Sequence, residues 1–460
     1  MKIKNIYETA KETGSRIALF SADERILKDN AFLSCTITVN PERRFQSFEG
    51  FGGALTESSG YVLSLIPLQK REEVLEAYFS PKKGNRYTLA RTHLNSCDFS
   101  LGNWACVEQP DESLNSFSME KPEKYIVPLI KDVQKFQKDL RLLISPWSPP
   151  AWMKDNGDMN HGGKLQKKYY SLWADYFVRF INELKKRGID TWAVSVQNEP
   201  LAKMVWDSCL WSAIEEGEFA AHHLGPALEK YTGTNEKIKI FVLDHNRDVL
   251  WDRFAGTMSV PGADKYIDGA AIHWYSGDQY DMLEKMSRAF PECGIIFTEG
   301  CIEGGPRPGA WFSGERYGHN IINDLNHGCT GWIDWNIALN MQGGPNHVGN
   351  FCDAPVLVDT DNAKIHYNSS FYYIGHFSRF ILPQARRVEH NINSYMTPAT
   401  VDGRMGNMME CCTFRNIDAS LVLVVMNRTE ADMKYELKIN NDAVVLKCPP
   451  RGIQSLILET

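Results

Sequence analysis

The feature that most constrains this chain is a repeated alternation of short apolar runs with longer amphipathic stretches. Eight runs read as strands: FQSFEGFGGA (45–54), RYTLARTHLN (86–95), LRLLISPWS (140–148), TWAVSVQNE (191–199), IKIFVLDHN (238–246), DGAAIHWYS (268–276), GIIFTEGC (294–301) and TGWIDWNIAL (330–339). Between them, segments such as 122–140 and 169–188 carry apolar residues at i, i+3, i+4, the spacing of a helix that buries one face. Strands separated by helices pair in parallel, and eight such units close a (β/α)8 TIM barrel. An open doubly wound sheet would need a Gly-rich phosphate turn after an early strand. GFGG at 50–53 does not extend to G-x-G-x-x-G and reads as a tight backbone turn.

The flanks follow a different pattern. Residues 16–40 and 376–460 hold short alternating segments such as LVLVVMNRT, YELKIN and IQSLILE, with turns between them and no long helical periodicity. They predict an antiparallel β-sandwich in which N-terminal strands join the C-terminal sheet. The expected division is N-terminal strands in 1–44, the catalytic barrel in 45–375 and the sandwich in 376–460.

Composition narrows the function. Fifty Lys+Arg against 57 Asp+Glu give a formal charge of −7 without long runs of one sign, which argues against nucleic acid or an anionic membrane surface as the main partner. No stretch approaches the roughly 18 apolar residues of a membrane span. The start of the chain has no signal-type apolar segment, and eleven Cys show neither metal nor disulfide spacing, so buried thiols in the cytoplasm are expected. Twelve Trp, 18 Tyr and 22 Phe are core material first, but flat rings also stack on the C–H faces of sugars.

In a barrel of this kind the chemistry lies at the carboxyl ends of the strands. Those ends carry Arg91 and His93 with Asp98 after them, then Trp147, Asn198-Glu199, Asp244-His245, His273-Trp274-Tyr275, Glu299 and Asp334-Trp335-Asn336. Glu199 and Glu299 each follow an apolar run, where an unpaired carboxylate is costly to bury. One alone would suit a structural ion pair with Arg91; two, among Trp, Tyr, His and Asn, suit glycoside hydrolysis, which needs one protonated and one ionised carboxyl. Asn198 beside Glu199 is placed to bond a sugar 2-hydroxyl, and Arg91 and Tyr275 are expected to hold Glu299 ionised and low in pKa. Glu199 therefore reads as the acid/base and Glu299 as the nucleophile. Trp274, turned away from Tyr275 by strand alternation, reads as packing.

The segments FQSFEGFGGALTES, RTHLNSCDFS, LLISPWSPPAWMK, WAVSVQNEP, HWY, FTEGC, GWIDWNIALN, GGPNHVGNF and GHFSRFI resemble glycoside hydrolase family 30, in family order from about 45 to 381, and the β-rich tail matches as well. The resemblance implies a retaining mechanism on a barrel joined to a β-sandwich, with Glu199 of QNEP as acid/base and Glu299 of FTEGC as nucleophile. It further implies that Arg91 orients the nucleophile, that Asp98 and Trp147 bind and wall the −1 sugar, that Asn198 contacts the 2-hydroxyl, and that His273, Tyr275, Trp335 and Asn346 complete the pocket. His347 stands where the family has Trp, and residues 102–118 and 303–318, expected on the aglycone side, do not match closely.

The expected activity is an exo-acting retaining β-glucosidase, glucosylceramidase-like in its catalytic apparatus, that needs no cofactor and no metal. For a cytoplasmic enzyme, small β-linked glycosides are better substrates than a ceramide glycoside. The alternatives are a β-xylosidase, β-fucosidase or endo-β-1,6-glucanase of the same family, or an inactive carbohydrate-binding protein on the same scaffold. Oligomeric state is not legible.

Overall fold

The computed structural model describes residues 2–27, 32–233, 237–395, 399–401, 404–406 and 409–459. Three N-terminal strands, β1 (Lys2–Ala10), β2 (Ala18–Phe20) and β3 (Cys35–Ser47), precede eight barrel strands. These are β4 (Phe51–Ala54), β5 (Leu89–Leu94), β6 (Arg141–Pro146), β7 (Thr191–Ser195), β8 (Lys239–Asn246), β9 (Ile267–His273), β10 (Gly294–Glu299) and β11 (Gly331–Asn336). They pair in parallel in sequence order, and β11 returns to β4 to close the barrel.

Both faces of these strands are apolar because both are covered. Leu89, Leu143, Ala193, Phe241, Ala271, Ile296 and Ile333, one from each of β5 to β11, form a single cluster in the barrel interior. The alternate residues, including Leu142, Val194, Ile240, Val242, Ile272, Phe297 and Trp332, join the larger core shared with the helices. Large and small side chains offset one another in the interior, as close packing requires. On β4, Gly52 contributes no side chain there: a Cβ would lie 2.1 Å from the Leu89 carbonyl oxygen.

The two helices anticipated from periodicity span Glu120–Phe136 and Tyr170–Lys186. Each buries one apolar stripe: Ile126, Leu129, Ile130 and Val133 in the first, and Trp173, Phe177, Phe180 and Leu184 in the second. Helix Glu57–Ser64 starts where the Thr56 hydroxyl accepts from the Ser59 N–H, satisfying one of its free N-terminal donors.

The expected first barrel run at 45–54 divides in two. Phe45–Ser47 ends β3, which belongs to the other sheet, and β4 begins only at Phe51. Between them Glu49 is held by Arg141 (2.5 Å) and Lys239 (2.7 Å), and Gly50 takes φ 142°, a left-handed backbone that glycine supplies without strain.

The second domain is a nine-stranded sheet that includes β1, β2 and β3. β1 pairs antiparallel with Gly452–Glu459, and β3 lies between Arg386–Ser394 and Met433–Ile439. One set of alternate residues, including Ile37, Leu423, Val425, Leu437 and Leu456, forms the sandwich's own core. The other set, including Phe414, Val422, Val424 and Met426, packs into the barrel core. No helix among the described residues is long and apolar enough to cross a membrane.

Candidate active site

Three barrel strands lose regular register at their carboxyl ends, and the shift decides which side chains face the mouth. β8 is irregular between Leu243 and His245, β10 between Phe297 and Glu299, and β11 between Asp334 and Asn336. A bulge of this kind re-aims a side chain that regular alternation would turn outward. The residues at these shifts are Asp244, Thr298 and Trp335. Leu243 (φ 74°) and Asp244 (φ 43°) both sit in the left-handed region, as does Glu199 (φ 46°). Each such non-glycine residue costs roughly 1–2 kcal/mol. The Glu199 N–H donates to the Asp244 carbonyl at 2.9 Å, so two strained positions are tied together. Glu199 stands four residues beyond the end of β7, in the loop rather than on the strand, whereas Glu299 is the last residue of β10.

Arg91, fully buried on β5, joins the two carboxylate-bearing segments. Its Nη1 donates to Glu299 Oε2 at 2.7 Å; its Nη2 donates to Asn198 Oδ1 at 2.7 Å and to Asp244 Oδ2 at 2.8 Å; its Nε donates to Ser145 Oγ at 3.0 Å. The Tyr275 hydroxyl donates to the second Glu299 oxygen at 3.0 Å. His273 bridges the other pair, with Nδ1 3.3 Å from Glu199 Oε1 and Nε2 3.0 Å from Asp244 Oδ1.

Asp244 is the hub. Besides Arg91 and His273 it accepts from the hydroxyls of Ser145 (2.9 Å), Ser195 (2.5 Å) and Thr298 (2.6 Å). Burial opposes its charge, but Arg91 and His273 outweigh burial and hold its carboxyl well below the usual range. The sequence lists Asp244 among the strand ends, yet nothing there raises it above its neighbours. The available signal is that Ser145, Ser195 and Thr298 put hydroxyls on β6, β7 and β10, within two strands of β8, and hydroxyls in a barrel core need an acceptor.

Two expectations about charge reverse in the structure. Arg91 and Tyr275 contact Glu299 as expected, but burial together with the Glu199 charge pushes its carboxyl above the ordinary value despite His273 and Arg91. Burial would also raise Glu199, yet His245 and His273 outweigh it and hold that carboxyl down at about 2. His273 goes the other way: burial disfavours its charge, but Glu299, Asp244 and Glu199 raise it to about 9. The electrostatics therefore favour the proton on His273 over Glu199.

The walls are aromatic. Trp147 and Trp335 lie stacked, with centroids 5.4 Å apart and planes at 22°, and the Arg91 guanidinium sits 4.7 Å from the Trp147 ring. Asp98 accepts from Asn346 Nδ2 at 3.0 Å. Burial, with Glu299 and Asp207 nearby, raises its carboxyl to about 8. His347 turns to Asp207 at 2.9 Å. Arg91, Trp147, Asn198, Glu199, His273, Tyr275, Glu299 and Trp335 are thus linked through contacts at one end of the barrel, and the Asp98–Asn346 pair lies close enough for the Glu299 and Glu199 charges to act on Asp98. Trp274 packs among Phe297, Tyr317 and Trp332, away from that end. Of the segment 303–318 assigned to the aglycone side, residues from Trp311 onward are helical, which leaves a shorter loop bridged to the next one through Glu303 and Cys352.

The glycosyl hydrolase family 30 TIM-barrel domain matches residues 48–381, and the β-sandwich domain of the same family matches 384–456. The chain is 34% identical to lysosomal acid glucosylceramidase of Mus musculus over 86% of this chain and 78% of that protein. It is 27% identical to an endo-1,6-β-D-glucanase of Neurospora crassa over 76% of this chain and 74% of that one. Among solved structures, SrfJ from Salmonella typhimurium superposes with a TM-score of 0.91 at 35% identity, and an endo-β1,6-glucanase with 0.85 at 27%, each covering 99% of both chains. With both domains matched, and with Glu199 and Glu299 at the carboxyl end of a closed barrel, this chain belongs to glycoside hydrolase family 30 and is an O-glycosyl hydrolase.

Proposed function

We propose that the chain is a retaining exo-β-glucosidase in which Glu299 is the nucleophile and Glu199 the acid/base. The observation that carries this is the asymmetric clamp: Glu299 is fixed by Arg91 at one oxygen and Tyr275 at the other, while Glu199 faces two histidines. A nucleophile needs a fixed trajectory, and an acid/base needs a proton source.

In the first displacement Glu299 attacks C1 and Glu199 protonates the departing oxygen. The proton comes from His273 Nδ1, 3.3 Å from Glu199 Oε1, because the Glu299 charge that helps hold it on His273 is lost as Glu299 bonds C1. Water, deprotonated by the same Glu199, then releases the sugar with its configuration kept. With Oδ1 of Asn198 committed to Arg91, the amide Nδ2 is left to meet the 2-hydroxyl. Asp98 and Asn346 address further sugar hydroxyls, and Trp147 and Trp335 wall the ring.

The loops at the pocket end of the barrel carry exposed apolar side chains. Leu101, Leu201, Val205, Met341, Val348 and Phe351 are all more than a third exposed, on the loops after β5, β7 and β11. That rim suits a glucoside with an apolar leaving group, in line with the glucosylceramidases to which the chain is similar. The second reading, an endo-β-1,6-glucanase, is favoured by the 0.85 TM-score match. Nitrophenyl β-glucoside, β-xyloside, β-fucoside and β-galactoside, an alkyl β-glucoside and β-1,6-glucan separate the readings. Release of glucose from the aryl and alkyl glucosides with initial formation of β-glucose supports the proposal. Oligosaccharides released from β-1,6-glucan, with the glucosides untouched, favour the glucanase. Tight sugar binding with no turnover would mark a binding protein. Eleven free thiols, ten of them buried, support a reducing compartment such as the cytoplasm.

A further inference from the structure

His245 faces Glu199 beside His273 but takes no step of its own in the scheme above. Its Nδ1 is buried and has no hydrogen-bond partner, and it lies 3.7 Å from Glu199 Oε1. His273 Nδ1 is 3.3 Å from the same oxygen. The three donor atoms all lie within 4.8 Å of one another. Zinc bound to nitrogen and oxygen at about 2.0–2.2 Å sets tetrahedral ligands about 3.3–3.5 Å apart, so both nitrogen–oxygen spacings already lie near that range and the two nitrogens have at most about 1.5 Å to close.

The outer contacts favour the same end. His273 has its other nitrogen 3.0 Å from Asp244 Oδ1, and Asp244 is itself held by Arg91 and three hydroxyls. A carboxylate that receives the far N–H of a ligating histidine fixes the ring and raises the basicity of the near nitrogen. The ring of His245 stands at 82° to that of His273, with centroids 6.4 Å apart, so the two nitrogens approach the carboxylate from different directions. Two imidazoles and a carboxylate are a borderline-soft donor set suited to zinc or a similar late divalent metal and ill suited to magnesium or calcium.

We propose that Glu199, His245 and His273 form an inhibitory zinc site, in which the cation occupies the carboxylate that otherwise handles the proton and leaves its fourth position toward the pocket. The binding claim stands on the donor geometry alone. Only the inhibitory consequence rests on the role proposed for Glu199, so the two are measured separately.

Zinc chloride is titrated into the full-length protein by calorimetry and, in parallel, into the aryl glucoside assay, each rate being referred to the same variant without zinc. The expected result is one zinc per chain at micromolar concentrations, inhibition reversed by a chelator, and no comparable effect of magnesium. In His245→Ala both the dissociation constant and the half-inhibiting concentration rise at least about tenfold. Glu199→Gln loses the calorimetric site, and melting curves check that both variants are folded. Binding that persists unchanged in His245→Ala and Glu199→Gln overturns the site, as does zinc inhibition that disappears instead in Cys301→Ser, which removes the pocket thiol 3.5 Å from the Tyr275 hydroxyl. Zinc bound at this site without loss of rate refutes the inhibitory role and the acid/base assignment of Glu199, but not the binding.

Discussion

Single residues near the nucleophile carry more than one duty, and Asp244 shows why. It neutralises Arg91, orients His273 and satisfies three buried hydroxyls. Asp244→Asn keeps the shape and removes the charge, leaving Arg91 partly uncompensated in the barrel interior. Breaking one partner of a buried pair costs about 3–5 kcal/mol, so denaturant unfolding should report a loss in that range. Activity should fall as well, because His273 loses a charge that keeps its proton in place. At Glu199 the expectation is finer. Glu199→Gln should slow alkyl glucosides far more than nitrophenyl glucosides, whose leaving group needs little protonation, and added azide should restore turnover as β-glucosyl azide. Equal loss on both substrates would remove Glu199 from the acid/base role.

At the scale of elements, the eight strands and their order are legible because burial on both faces leaves continuous apolar runs that few other elements produce. The pocket's aromatic and carboxylate residues are legible for a related reason: they interrupt those runs at one end only. The bulges are not legible. Asp244, Thr298 and Trp335 face the mouth through register shifts that no composition rule marks, and so the hub formed by Asp244 and the role of His245 escape a reading based on alternation. The signs of the Glu199 and Glu299 shifts escape it too, since the first depends on two histidines brought from β8 and β9 and the second on burial and on the Glu199 charge. Barrel closure itself sets hard limits at glycines. A Cβ on Gly269 would lie 1.9 Å from the Gly294 carbonyl oxygen on the neighbouring strand, whereas one on Gly102 meets nothing within 4 Å. Gly269→Ala should therefore yield little folded protein, and Gly102→Ala should melt within a few degrees of the parent. Comparable melting of the two would mean that the β9–β10 spacing is wrong.

At the scale of the whole molecule, the sandwich is fastened to the barrel by half-buried polar contacts as well as by packing. His319, on helix Trp311–Asn326, lies 2.7 Å from Glu410 on the sandwich strand Met409–Arg415 and 3.3 Å from Asp278. Burial disfavours its charge and Arg428 adds repulsion, but Glu410 and Asp278 prevail and raise it to about 9. A histidine raised in the folded state stabilises fully below its unfolded pKa of about 6.5 and loses that contribution as pH rises through the folded value. His319→Gln should thus cost of the order of 2 kcal/mol near pH 6 and much less at pH 10, measured by denaturant unfolding. A cost independent of pH would assign His319 to packing alone.

The division of labour between Glu299 and Glu199 is tested most directly by covalent trapping. A 2-deoxy-2-fluoro-β-glucosyl fluoride slows both displacements but keeps a good leaving group, so the glycosyl-enzyme accumulates and digestion followed by mass spectrometry locates it. The expected adduct is one fluoroglucosyl group per chain on the peptide containing Glu299, absent from Glu299→Gln. A label on Glu199 or any other residue, or no label together with release of α-glucose from the natural substrate, would contradict the assignment.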